Sequence, residues 1–503
     1  MRTLVLGVAF VLGASSCQGD DDSASHGGAG HGGSVPSSGA APAAGRSEGT
    51  GGRAASSGAA GRAATSGGSA GKGSGGSSSG GDATAAGGVL GATGGATDAG
   101  SSGDSGNGGE VSSGGSGAVT VGEWTDAPGE CPAGSVRIDI TTLDKMESAS
   151  RGESDQDGTC FFVHDGTYTQ SGSTLPLYFL RGGSANAPVV WVGESRSGVV
   201  IRGRATFEVG SDHLQLSNMT LDISSVTQTG AYNTITVLAS DITLSHLTLT
   251  GDCAHGSQGG HIEVPGQDDP SAPTQDHVVI DSCLIEKFGH CGPDGSLDHG
   301  IYLSSGNDIV VRNSVIRGNS SRGIQIYTHY EDSSLTLTNL VIERNRIEAN
   351  GHGDYQDGMV INGNVASDFQ GPIDGVTIKN NVFWQNYYSA IRFVGNSVKG
   401  VEITHNTFVD DGADSTGSNR SELNLDDGTP VVTASKNVFA PATTVVNSCV
   451  DSLAISDNLV SGGSATGSCV SGTIEGDPEF VDAANGDFHA QNPVAEGYGA
   501  YAP

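Results

Sequence analysis

The chain has 503 residues, a formal net charge of −33 and 81 glycines, with only 5% aromatic residues. That acidity argues against a nucleic-acid partner, because a phosphate backbone calls for a clustered basic surface. Composition shifts along the chain, so each segment carries its own meaning.

Residues 1–16 join one basic residue, Arg2, to an apolar run too short to span a bilayer, which is the pattern of a secretory signal. Cys17 follows Ala14-Ser15-Ser16, and small residues before a lone cysteine resemble the lipobox of bacterial lipoproteins. The resemblance implies lipid attachment at Cys17, a membrane as partner through that anchor, and an exported protein at the cell surface or outer membrane. Ordinary signal cleavage nearby would leave it secreted instead.

Residues 17–118 form the next segment, almost all Gly, Ser, Ala and Thr after Asp20-Asp21-Asp22. They cannot bury enough apolar surface to offset backbone entropy, and a disordered tether is expected. A flexible coil of ~100 residues has a root-mean-square span of roughly 50–60 Å.

From Val119 to the C-terminus, strand-like pieces are bounded by Gly, Asn and Asp. A template of two apolar residues in alternation, a two-residue skip, a ladder position and a further apolar residue recurs. It gives Leu214-x-Leu216-x-x-Met219-x-Leu221, and places Leu247, Cys283, Ser314, Asn345, Asn381 and Asn406 at later ladder positions. Weaker copies carry Asn437 and Asn458. The step between ladder positions runs from about 21 to 36 residues, within the range of stacked repeats. Alternation predicts strand, and the skip predicts a bend. The asparagines are read as structural, each bonding its neighbours along the stack.

An asparagine ladder at an inward bend resembles the right-handed parallel β-helices of the pectate-lyase-like superfamily. Val163–Tyr168, Val189–Gly193 and Val199–Gly203 are similar to that group's opening strands, and Gly476–Asp482 with Asn485–Phe488 to its closing segment. The fold class expected is therefore all-β: a right-handed parallel β-helix solenoid preceded by a disordered Gly/Ser/Ala-rich tether. A monomer is expected. In this alignment Cys283 falls at an inward ladder position as a buried free thiol. Cys253 and Cys291 fall in equivalent turns of neighbouring coils, a pairing geometry, while Cys131–Cys160 and Cys449–Cys469 pair by proximity and elimination.

A filled solenoid leaves chemistry to its outward columns. A second strand in each coil gives the column Glu263, Tyr302, Gln325, Val360, Arg392, Asn424, and the residue before each glycine adds His299, Arg322 and Asp357. Asp298 and Tyr327 flank them. Loops bearing His255, His290 and His329 border this face. Elimination on a uronic-acid polymer needs an arginine to neutralise the sugar carboxylate, here Arg322 or Arg392, and a base and acid, here His299 or Tyr302. Glu263, Gln325, Tyr327, Arg392 and Asn424 would bind an acidic polysaccharide. The expected function is thus a polysaccharide lyase. A glycoside hydrolase using Asp298 and Asp357 is a second reading, and a non-catalytic glycan-binding or adhesion protein a third. No metal-ligand pattern is present, but Asp410-Asp411 and Asp426-Asp427 offer oxygens of the kind that hold Ca²⁺.

Overall fold

The structure is a computed structural model that describes residues 121–502, apart from 123–127, 153–155, 171–175, 209, 225–232, 256–258, 266–273, 291–296, 329–335, 353–355, 364–371, 414, 416–419 and 442–443. The expected signal, the lipid site at Cys17 and the tether lie outside the described residues, as do Cys291 and His329.

Three long parallel sheets of 14, 12 and 9 strands make a solenoid. A full coil gives one strand to each sheet, and the last coils strands to the two longer sheets alone, so partners lie a whole coil apart: Leu214–Ser217 pairs with Ile242–Ser245, and Thr220–Asp222 with Thr248–Thr250. One continuous core runs inside it, from Ile140 and Met146 through Leu216, Leu244, Ile280, Val311, Ile342 and Ile378 to Ile455. Alternating apolar residues supply that core, because only every second side chain of a strand points inward.

The residue before each ladder position explains the bend. Asn218, His246, Ser282, Asn313, Arg344, Asn380, His405, Lys436 and Asp457 all have φ between 52° and 59°. That left-handed backbone turns the chain between two sheets, and no β-branched residue stands at any of these positions. The ladder itself matches expectation. Ser314 N–H donates to Asn345 Oδ1 (3.0 Å), and Asn345, Asn381, Asn406 and Asn437 each donate backbone N–H and Nδ2 to the next asparagine, ending at Asn458.

A second ladder, missed in the sequence, runs parallel to the first. Asn319, Asn350, Asn386 and Asp411 each stand five residues after a ladder position (314, 345, 381, 406), and each asparagine bonds the next in the same way. The fixed offset was the signal available. Asp411, one of the carboxylates considered for Ca²⁺, is therefore a buried rung, 1% exposed, rather than a solvated loop residue.

Both ends of the core are covered. An amphipathic helix, Leu143–Arg151, is capped by Thr142, whose side chain accepts from Lys145 N–H, and buries Met146 at the first coil. Cys449, Val450, Ala465, Cys469 and Val470 pack against the other end. The expected Cys131–Cys160 and Cys449–Cys469 disulfides are present, Cys253 is disulfide-bonded, and Cys283 is a buried free thiol whose pKa burial pushes up to about 12.

The closing segment does something other than close the end. Its antiparallel pair, Phe480–Asp482 and Asp487–Ala490, lies along the outer face of the 12-stranded sheet, where Phe488 packs on Val382 and Val409. Arg346 Nη1 donates to Gly486 O (2.7 Å) and its guanidinium lies over Trp384. Val121 joins the same cluster, and Gly122 N–H donates to Arg344 O (3.0 Å).

Candidate functional site

The nine-stranded sheet carries the residues singled out by chemistry. Register puts Glu263 beside Tyr302, Tyr302 beside Gln325, Gln325 beside Val360, Val360 beside Arg392, and Arg392 beside Asn424. This is the column read from the sequence, rung for rung. Tyr327 pairs with Asn362 at its edge.

The glycine between the two columns has a packing cause. A Cβ at Gly300 would lie 2.8 Å from Asn319 Nδ2, at Gly323 2.8 Å from Asn350 Nδ2, and at Gly358 2.7 Å from Asn386 Nδ2. Glycine lets the second ladder pass behind the strand. The residue before it then turns outward, next to the side chain three positions on: His299 beside Tyr302 and Arg322 beside Gln325.

These columns are not an open row. His299 is 1% exposed and Asp357 wholly enclosed, while Gln325, Arg392 and Asn424 are also buried. They satisfy one another. Asp357 accepts from Ser389 Oγ and from Arg392 Nε (2.9 Å), with Arg322 Nε at 3.9 Å. Arg392 Nη1 reaches Asp426 (3.1 Å), Arg322 Nη1 donates to Gln325 Oε1 (2.8 Å), and Asn447 Nδ2 donates to Asn424 Oδ1 (2.7 Å). Burial pushes the Asp357 carboxyl upward against the pull of Arg392 and Arg322. Burial and the repulsion of Arg392 bring Arg322 down to about 10, still a cation at neutral pH. Asp298 belongs elsewhere: its carboxylate accepts from His290 backbone N–H (3.1 Å) and contacts His290 Nδ1 (3.0 Å). The two aspartates of the hydrolase reading are thus held by different partners. Asp426, one of the carboxylates considered for Ca²⁺, is engaged by Arg392. Among the described residues, no three His, Cys, Asp or Glu side chains are placed to hold a metal.

His299 and Tyr302 meet edge to face, ring centroids 5.7 Å apart. His299 Nδ1 accepts from Arg322 backbone N–H (3.4 Å), and burial, reinforced by Arg322, keeps the ring well below its ordinary pKa. The imidazole is therefore neutral, with its proton on Nε2. Glu263, half-buried next to Tyr302, has its carboxyl pushed up to about 7 by burial, so it can carry a proton near neutrality. The bordering loops at 256–258, 266–273, 291–296 and 329–335 are outside the described residues.

A family model described as "Right handed beta helix region" matches residues 196–408, which include the site residues from Glu263 to Arg392. The solenoid is a right-handed parallel β-helix. No curated protein matches the chain by sequence. Among solved structures, pectate lyase Pel9A is similar at 14% identity and a TM-score of 0.43, covering 70% of this chain and 85% of its own. An alginate lyase from Paenibacillus sp. str. FPU-7 is similar at 13% and 0.34, covering 67% and 95%. The PL6 family alginate lyase AlyGC is similar at 13% and 0.35, covering 72% of this chain; the β-helix chain spans only 56% of that enzyme's length. The fold of the β-helix rests on its strand register and the family match.

Proposed function

We propose that this β-helix acts on an acidic polysaccharide outside the cell, held to a membrane by a lipid on Cys17, and that it cleaves uronic-acid units by β-elimination. The observation that carries the reading is the Tyr302 neighbourhood: a phenol between Glu263 and Gln325 in its column, touched by neutral His299, with the cationic Arg322 on the next strand. The similar solved structures include enzymes named as alginate and pectate lyases, which agrees with that substrate class.

Arg322 pairs with the sugar carboxylate and lowers the cost of forming the carbanion beside it. Tyr302 first passes its own proton to the Glu263 carboxylate; the phenolate then takes the proton on the carbon beside the sugar carboxylate, and that electron pair forms a ring carbon–carbon double bond as the glycosidic carbon–oxygen bond breaks. Of the two bases considered, His299 is the poorer, because its lone pair at Nδ1 already accepts from the backbone; its Nε2–H donates instead. The departing glycosidic oxygen takes the proton from Tyr302, and Glu263, its carboxyl pushed up to about 7 by burial, returns its proton to the phenolate, which restores both groups. Asp357, itself held by Arg392 and Ser389, anchors Arg322 from within.

The test is ultraviolet absorbance of the unsaturated uronate formed when the full chain meets alginate, pectate and other uronic-acid polymers. Absorbance should rise, and Tyr302→Phe should lower the rate about 10²–10⁴-fold. New reducing ends without absorbance would favour hydrolysis. Binding with neither would make the protein a glycan-binding surface protein. The anchor is tested separately, since Cys17→Ala should release the protein from the membrane fraction.

A further inference from the structure

The second ladder ends in a way its other rungs do not. In every asparagine rung, Oδ1 accepts from the rung before, and Nδ2 donates both to a carbonyl of the preceding coil and to the next rung. Asn386 Nδ2, for example, donates to Ile347 O (3.0 Å) and to Asp411 Oδ1 (2.7 Å). Asp411 Oδ1 performs the accepting half, taking Asn386 backbone N–H as well (2.8 Å). Its Oδ2, however, stands where an amide would donate, and it has nothing to donate unless protonated.

The next rung position, five residues after Asn437, is alanine. Glu422 takes that rung's place. It occupies the position held by Gly300, Gly323, Gly358 and Ala390 in earlier coils, and its carboxyl turns back to face the Asp411 backbone N–H and carboxyl. Both side chains are shut off from solvent, and neither Asp411 Oδ2 nor either Glu422 oxygen meets a donor in hydrogen-bonding geometry. Asp410 is the other charged group acting on both, and it is repulsive. Arg420 directs its guanidinium to the Gly412 and Ala413 carbonyls; Asp414 is outside the described residues.

We infer that Asp411 and Glu422 share one proton, and that this proton closes the second ladder where every other rung uses an amide. The junction between the Asn386 coil and the last coils is then an acid-held joint. Two facing carboxylates without a proton would repel each other in a dry interior, so the joint loosens as the proton leaves. Burial pushes both carboxyls upward, Asp411 to about 7. A carboxyl with a raised folded pKa binds more protons folded than unfolded. Its contribution is therefore complete below about pH 4 and falls as pH rises through the folded value.

Hydrogen exchange of the full chain, corrected for intrinsic rates and followed by mass spectrometry, tests this at about pH 6 and about pH 9. Peptides spanning 383–425 should lose protection by up to about tenfold per pH unit above neutrality. Peptides spanning 311–350, whose rungs are Asn319 and Asn350, serve as the control and should not. Asp411→Asn restores an amide rung and Glu422→Gln supplies a donor, so each should remove the loss; either one decides the matter if the other does not fold. Equal behaviour of the two segments, or a loss retained in the variants, overturns the proposal. Protection restored at high pH by Ca²⁺ alone also overturns it, making the pair a cation site.

Discussion

On the 14- and 12-stranded sheets, outward columns alternate in charge, and their cations Arg312, Arg317 and Lys379 reach water over the more buried carboxylates. Asp281, Arg312, Glu343 and Lys379 stack in register on one, Glu286, Arg317 and Glu348 on the other. Their pairs are close, with Arg312 at 2.8 Å from Asp281 and Arg317 at 2.8 Å from Glu286. On the nine-stranded sheet the outward columns are enclosed, and two guanidiniums converge on one buried carboxylate. Stacking geometry is the same in both regions. Alternating charge is enough where one partner of each pair reaches water, whereas an enclosed network must be satisfied atom by atom, and a chain retains such a network at a cost in stability.

The contrast can be broken most severely at Asp357. Asp357→Ala takes the buried carboxylate from between Arg322 and Arg392, leaving Arg392 with Asp426 alone, and should cost about 3–5 kcal/mol, read from urea unfolding. Asn381→Ala, in the interior both regions share, removes a rung that accepts from Asn345 and donates to Ile342 O. It should cost about 1–3 kcal/mol for each buried donor left unmet. Glu263→Gln should flatten the pH dependence of stability. In the native chain this term is present below about pH 4.3 and lost as pH rises through about 7, and thermal unfolding across that range reads it. The smallest effect belongs to the exposed cations of the charged columns. Arg312 has a side chain 41% exposed, so Arg312→Ala should cost about 0–1 kcal/mol and less in high salt. A larger loss there than at Asp357 would invert the comparison.

The fold was legible because inward alternation and a bend repeat in every coil, and each error of one residue would have turned the apolar set outward. Column register followed from the same periodicity, which is why Glu263, Tyr302, Gln325, Val360, Arg392 and Asn424 line up as read. The second ladder escaped because its members sit at a bend, outside the alternating template, although its five-residue offset was present in the text of the chain. The enclosure of His299 and Asp357 escaped for a different reason. Period 2 tells which side of a sheet a residue faces, not what lies over that side. Asp411 shows the same limit: a doublet of aspartates looks solvated until the coil count puts one of them in a rung.

The hydrogen bond from Gly122 to Arg344, with Val121 packed against Phe488, has a mechanical meaning. Tension arriving along the chain from the N-terminal side reaches the solenoid at its flank, in the Arg344 coil, before it reaches the first strand at Val136–Ile140. A pull must therefore detach this hydrogen bond and draw Val121 out of its apolar cluster before it can peel the first strand from the end of the stack.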